Sequence, residues 1–354
     1  MLKNDKIAIV MKTYYSTFIT GFIDVIKENL GKHLKDVQID LIADGLVVYK
    51  TSADIEAIKR LRFLNNSFLL IRHFPKLSNN PVQEMVKKVA KDSRLTPILR
   101  NPLMGKRAKF RVMAMSENQT VKMDNNLRLR LENNIIQGRY LSLDRSLPDV
   151  EYLFSARREG FGLFGLRLTK RPNYEKILEK GELYPELAYI LCLISEPNAN
   201  DVFLDPFSGS GSIPIARILG FPFKIVYASD NDKGLVEKLK TKTKKVRGNF
   251  IVGCWNAIRL TNFESGSIDK IVTDPPWGLH SGTELNLERF YEDILKEFSR
   301  ILRKDGLLVL LTAQKELMEP LLNKFTNEFV LIKRFDTLVS GKKAGAYKLR
   351  KIAD

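Results

Sequence analysis

The pattern of apolar and polar positions changes character about halfway along this chain. Between residues 6 and 75 the two periodicities are mixed. "KIAIVMKT", "DGLVVYKT" and "SFLLIRHF" predict strands, "TGFIDVIKENLGK" has helical spacing, and "SADIEAIKRLRFLN" predicts a helix capped by Ser52. From about residue 80, "NPVQEMVKKVAKDS" predicts a helix and "KRAKFRVMAMS" a basic strand. A helix near 124–138 follows, then "DVEYLFSARREG" and "FGLFGLRLTK", which predict a hairpin turning at Glu159-Gly160. The polar stretch "RPNYEKILEKGELYP", with two prolines, predicts a linker and a domain boundary.

Beyond that linker, strands and helices alternate. A helix over 185–195 precedes the strand "DVFLDPF", the helix "IPIARILG", the strand "KIVYASD" and a basic helix around 232–246. "NFIVGCW", "DKIVTDPPW", a helix over 287–303 and "GLLVLLTA" complete the series. Phe290, Ile294, Leu295, Phe298, Ile301 and Leu302 recur at helical spacing, so the last helix presents one apolar face. This order predicts an α/β fold with a mostly parallel sheet and helices on both faces. The tail "FVLIKRFDTLVSGKKAGAYKLRKI" predicts an antiparallel pair that closes the sheet.

A length of 354 residues implies two or three domains. No uninterrupted apolar run reaches about 18 residues, so no membrane span is expected. "MLKNDKIAIVMKTYY" lacks the pattern of a secretory signal. Two isolated cysteines, Cys192 and Cys254, read as reduced thiols of a cytoplasmic protein. With three histidines (His33, His73, His280), no zinc site is expected. The net charge of +17 changes the picture more, because it raises affinity for polyanions, of which nucleic acid is the commonest.

Ligands of open α/β sheets bind outside the carboxyl ends of the strands, and four strand ends here carry unusual residues. In "DPFSGSGSIPIA", Gly209 and Gly211 allow a tight turn and close approach of backbone to a ligand. A plain glycine turn or a nucleotide-phosphate site would use the same residues. "YASD" ends at Asp230, where an acid after the second strand typically holds ribose hydroxyls. In "GCWNA", Asn256 suits an adenine edge, with Trp255 or Ala257 on its face; Trp255 serves equally well as core filling. In "KIVTDPPWGLH", Pro275 and Pro276 cannot extend a sheet ladder, so Asp274 and Trp277 stand on a stiff corner.

"DPFSGSG", the acid after the second strand and "DPPW" after the fourth together resemble class I S-adenosylmethionine-dependent methyltransferases that modify exocyclic amino groups of nucleobases. The resemblance covers residues 183 to about 315. It implies that Asp205, Ser208, Gly209 and Gly211 wrap the methionine part of S-adenosylmethionine, while Asp230 binds the ribose and Asn256 the adenine. The family more often has Asp at the position of Asn256. Upstream, "DGLVVYKTSADIEAIKRLRFLNNSFLLIRHF" and "LSLDRSLPDVEYLFSARREGFGLFGLRLTKR" are similar to the ferredoxin-like and THUMP modules of tRNA guanine-N2 methyltransferases, and "LYPELAYILC" to their link into the catalytic domain. The implied organisation is a ferredoxin-like domain (1–75), a THUMP RNA-binding domain (76–168), a linker (169–182) and a Rossmann-like methyltransferase domain (183–354). That last domain is expected to hold a mostly parallel seven-stranded sheet with an antiparallel C-terminal hairpin.

The implied activity is methylation of guanine N2 in tRNA or another structured RNA, without a metal. Asp274 and the carbonyl of Pro275 would accept both N–H bonds of the amine and turn its nitrogen toward the methyl donor. Pro276 stiffens the mount, Trp277 stacks on the flipped base, and Asp274 takes the departing proton late, with no shifted pKa required. His280 is expected to be a loop residue. Arg100, Lys106, Arg107, Lys109, Arg111, Arg157 and Arg158 are candidates for phosphate contacts, with Lys240, Lys244 and Arg247 as a second set. Ribosomal RNA guanine and DNA adenine-N6 or cytosine-N4 methyltransferases share the clamp, although no large insertion suggests a DNA-reading module. Asp274 argues against protein glutamine methylation, whose enzymes usually carry Asn there. A catalytically silent RNA-binding protein is the alternative from another class.

Overall fold

Each of the two apolar patterns folds into its own sheet. The computed structural model describes residues 11–103, 105–117, 119–169, 178, 181–246, 248–278 and 286–353. It divides into two units, the first comprising residues 1–17 and 28–175, the second residues 18–27 and 176–354.

In chain order come β1 (Lys12–Thr17), α1 (Ile23–His33, of which residues 28–33 belong to the first unit), and then in the first unit β2 (Gln38–Ala43), β3 (Leu46–Thr51), α2 (Ile55–Lys59) and β4 (Asn66–Phe74). The antiparallel order β2-β3-β1-β4 is that of the ferredoxin-like β-α-β-β-α-β motif. The helix expected from Ser52 is shorter than its pattern suggested. Asp54 is its cap, accepting the Ala57 N–H at 2.7 Å, while the Ser52 N–H goes to Asp36 at 2.8 Å. After Lys59 the chain tightens into i→i−3 bonds from Arg60 and Leu61, and Leu61, Phe63 and Leu64 turn into the core without sharing a helical face. Strand β2 gave no clear period because it lies at the sheet edge with both faces largely open.

The unit continues with α3 (Pro81–Lys91), α4 (Thr96–Arg100), β5 (Ala108–Ser116), β6 (Gln119–Thr120), α5 (Asn125–Ile136), β7 (Leu141–Leu143), β8 (Val150–Ala156) and β9 (Gly162–Arg167). The expected hairpin is the antiparallel β8–β9 pair, turning through Gly160 at φ 87°. Antiparallel β4–β9 pairing joins residues 12–74 and 81–167 into one nine-stranded sheet. Met85, Val86, Phe110, Tyr152, Phe154 and Phe164 pack in its core. The expected linker, 169–182, lies largely outside the described residues, as does the start of "KIAIVMKT".

The second unit holds α6 (Pro185–Ile194), β10 (Val202–Asp205), α7 (Ser212–Gly220), β11 (Ile225–Asp230), α8 (Lys233–Thr243), β12 (Phe250–Cys254), β13 (Ile268–Thr273), α9 (Leu287–Ile301), β14 (Leu302–Thr312), α10 (Lys315–Lys324), β15 (Phe329–Val339) and β16 (Lys342–Lys351). Its seven strands lie in the order β12-β11-β10-β13-β14-β16-β15, and β16 alone runs against the direction of the other six. The apolar face of α9 covers this sheet through fully buried Ile294, Leu295, Phe298 and Ile301. Helix α10 escaped the sequence reading because Pro320 interrupts its pattern. Residues 18–27 join this unit: the Phe22 ring stacks on Phe335 at 5.3 Å, and Thr337 Oγ1 donates to Thr20 O at 2.8 Å. Chain order reverses between β10 and β13, and ligands of doubly wound sheets bind beyond the carboxyl ends of the strands at such a reversal.

Candidate active site

Four parallel strands, β10 to β13, deliver the singled-out residues to that one edge. Asp205 ends β10 and is 1% exposed. Its Oδ1 accepts from Thr273 Oγ1 at 2.8 Å and from Phe207 N at 3.1 Å, whereas its Oδ2 is buried and meets no described partner. Burial, with a further contribution from the charge of Asp230, pushes its pKa up to about 7 against those two hydrogen bonds. Ser208 is committed within the protein, donating through both N and Oγ to Ser229 O at 2.8 and 2.7 Å. The Gly209 N–H reaches Asp230 Oδ2 at 3.0 Å, which ties the glycine turn to the end of β11. Gly211 has φ +90°, and a Cβ there would lie 2.3 Å from Leu239 Cδ1. The left-handed φ favours glycine, and a larger residue would also have to displace the Leu239 side chain of α8.

Asn256, just past β12, is exposed, and its side chain accepts the Ile258 N–H at 3.1 Å. Trp255 packs with its ring 5.2 Å from Phe263 and 6.1 Å from Tyr227. That tryptophan is partly buried against the core cluster.

The corner after β13 holds the remaining group. Asp274 Oδ1 accepts the Trp277 indole N–H at 2.8 Å. Asp274 is half-buried. Burial raises its pKa to about 8; the indole bond opposes the shift and the charge of Asp205 adds to it. The pKa that needed no shift in the sequence reading is therefore shifted upward. Three carbonyls follow Asp274. That of Pro276 accepts from Tyr291 Oη at 3.2 Å, and that of Trp277 from Gln314 Nε2 at 2.5 Å. Among the described residues, Asp274 Oδ2 and the Pro275 carbonyl are left without a partner. Thr273, Tyr291, Thr312 and Gln314 escaped the sequence reading; only Thr273, next to the "DPPW" stretch, had any local signal. His280 lies outside the described residues.

The basic candidates of the first unit separate into two groups. Arg100 is spent on Asn134, through Nε to its backbone O at 2.9 Å and Nη2 to its Oδ1 at 2.8 Å. Arg111 and Arg167 both pair with Glu151, Lys109 with Asp144 at 3.1 Å, and Arg157 with Glu159 at 3.1 Å. Lys106, Arg107 and Arg158 are exposed and make no side-chain hydrogen bond or close ion pair among the described residues. In the second set, Lys240 pairs with Glu237 at 2.8 Å, Lys244 is exposed, and Arg247 lies outside the described residues.

Residues 172–337 match the model of the UPF0020 family, described as an RMKL-like methyltransferase domain. A "Probable tRNA (guanine(10)-N2)-dimethyltransferase" of Methanothermococcus thermolithotrophicus is 32% identical over 146 residues, covering 38% of this chain and 86% of that protein. The chain belongs to the class I tRNA (guanine-N2)-methyltransferase family. The tRNA (guanine(6)-N2)-methyltransferase of Thermus thermophilus is 29% identical over 218 residues, covering 59% of this chain and 64% of that protein. The chain thus spans less than two thirds of that relative's length. The crystal structure of TrmN from Thermus thermophilus superposes with a TM-score of 0.75 at 23% identity, covering 97% of this chain and all of the other. At that identity the likeness speaks for the Rossmann-like fold. Among the described residues, no helix is long and apolar enough to cross a membrane.

Proposed function

We propose that this protein transfers the methyl group of S-adenosylmethionine to the exocyclic N2 of a guanine in tRNA. One observation carries the reading: the DPPW corner retains two acceptors, Asp274 Oδ2 and the Pro275 carbonyl, while its other acceptors are occupied. A primary aromatic amine brings two N–H donors. Accepting both rotates the nitrogen lone pair out of conjugation and aims it, an alignment that can account for about 7–11 kcal/mol of barrier in favourable cases. The bond from Trp277 to Asp274 fixes the ring that would stack on the flipped base, worth about 1–3 kcal/mol. Its raised pKa makes Asp274 a better acceptor for the proton the nitrogen must lose.

The residues of β10 and β11 fit the cofactor. A buried oxygen without a partner, such as Asp205 Oδ2, costs about 1–3 kcal/mol and suits a cationic ligand with N–H donors. Asp205, Ser208, Gly209 and Gly211 would hold the methionine part, Asp230 the ribose and Asn256 the adenine. When bound, S-adenosylmethionine supplies an electrophilic methyl group on a sulfonium. The first unit, with its net surplus of cations, would grip the RNA as a ferredoxin-like and THUMP pair (1–75 and 76–168), chiefly through Lys106, Arg107 and Arg158. Cys192 and Cys254 are free thiols, which suits a cytoplasmic setting.

The test is direct. The purified chain is incubated with tRNA and isotopically labelled donor, and the RNA is digested to nucleosides for mass spectrometry. Labelled N2-methylguanosine is expected; label confined to adenosine or cytidine would reject the substrate assignment.

A further inference from the structure

The DPPW corner is held by a closed set of hydrogen bonds whose donors and acceptors can be assigned one way. Gln314 sits between β14 and α10, as the residue before α10, and its backbone N–H donates to Thr312 Oγ1 at 3.0 Å. Thr312 Oγ1 lies 2.7 Å from Tyr291 Oη, and Tyr291 Oη lies 3.2 Å from the Pro276 carbonyl. A carbonyl can only accept, so the phenol proton goes to Pro276 and the threonine proton goes to the phenol oxygen. The Gln314 side chain closes the ring by donating Nε2–H to the Trp277 carbonyl at 2.5 Å. Tyr291 and Thr312 are both fully buried, so neither has water to turn to instead.

We infer that Gln314, with the Thr312–Tyr291 pair behind it, is a positioning residue that holds the Pro276-Trp277 backbone and leaves the Pro275 carbonyl and Asp274 Oδ2 to the substrate. The inference rests on the clamp reading above. Two proteinaceous donors meet two successive peptide carbonyls, and the next carbonyl upstream receives none among the described residues. Pro275 and Pro276 supply no N–H of their own, so the anchorage must come from other elements. Here it comes from α9, the end of β14 and the residue before α10, and none of its three side chains needs to touch substrate. Displacing a reacting group by about 1 Å can cost roughly a hundredfold in rate.

The chain has two tryptophans, so fluorotryptophan labelling yields two fluorine resonances, and Trp277→Phe assigns them. Gln314→Ala and the isosteric Gln314→Glu should each move or broaden the Trp277 resonance and leave that of Trp255 in place. The same variants should lower kcat for methyl transfer about ten- to a hundredfold, with donor affinity by calorimetry held within about twofold. Thr312→Val should reproduce part of both effects, and Thr312→Ser, which keeps the hydroxyl, should restore them. An unmoved Trp277 resonance in Gln314→Ala overturns the positioning role, whatever happens to turnover. A shifted resonance with unchanged kcat overturns it too, by separating the corner's position from the chemistry. Absence of methyl transfer by the unaltered protein would instead defeat the clamp reading, and the spectra distinguish that failure from this one.

Discussion

Asp205, buried, and Asp274, half-buried, are two acids within electrostatic reach of each other, and that arrangement has opposite consequences for stability and for chemistry. An acid whose folded pKa is raised binds more protons in the folded state than in the unfolded state, so stability falls as pH rises between the two pKa values. For Asp205 that window runs from its ordinary 3.8 to about 7. At about 1.36 kcal/mol per unit, the cost of this one buried carboxyl at neutral pH reaches roughly 4 kcal/mol. Asp205→Asn should therefore raise the melting temperature by several degrees at pH 7.5 and by much less at pH 4. A scan of melting temperature against pH for both proteins checks this, and equal shifts at the two pH values would contradict it. Function pulls the other way. Only the ionised Asp274 can take the proton the nitrogen loses, and it is the stronger N–H acceptor, so kcat/KM for the RNA should climb with pH and level off above about 8. Asp274→Ala should abolish transfer while donor binding persists, and turnover equal to the parent's would remove Asp274 from the clamp.

At the scale of elements, the strand ends matter more than the strands. Gly209 and Gly211 both have positive φ, but only Gly211 is crowded, by Leu239 of α8. Gly211→Ala should cost stability and weaken donor binding, whereas Gly209→Ala, with open space around its Cβ, should cost about 1 kcal/mol of backbone strain. Thermal melts with and without donor separate the two. Period alone predicted most elements of the second unit, because an amphipathic helix such as α9 writes its buried face into the sequence at fixed spacing. It missed β2, whose faces are both largely open, and α10, which carries a proline. It placed the α2 cap at Ser52 because serine is a good cap residue. Asp54, two residues on, made the competing bond.

For the whole molecule, the charge surplus becomes a statement about particular side chains. Among the arginines singled out in the first unit, Arg111 and Arg157 are paired with carboxylates and Arg100 has its guanidinium hydrogen-bonded to Asn134. RNA affinity should fall steeply with salt, and replacing Arg107 or Arg158 by glutamine should reduce the log–log slope by about one each. Arg111→Gln should instead lower stability, since it breaks a pair with Glu151 that is almost out of solvent. Filter binding across a salt series distinguishes these outcomes; an unaltered slope for Arg107→Gln would place that cation outside the RNA path.

The alternation of strand and helix, the glycine turn and the proline-locked acid were all legible in sequence, because period and turn chemistry are properties of neighbouring residues. Tertiary structure alone decided which acceptors and cations stay available. The partners that occupy them lie far away in sequence, as Thr273 does from Asp205 (68 positions) and Gln314 from Trp277 (37 positions). Sheet order brings those partners together, and no local spacing encodes it.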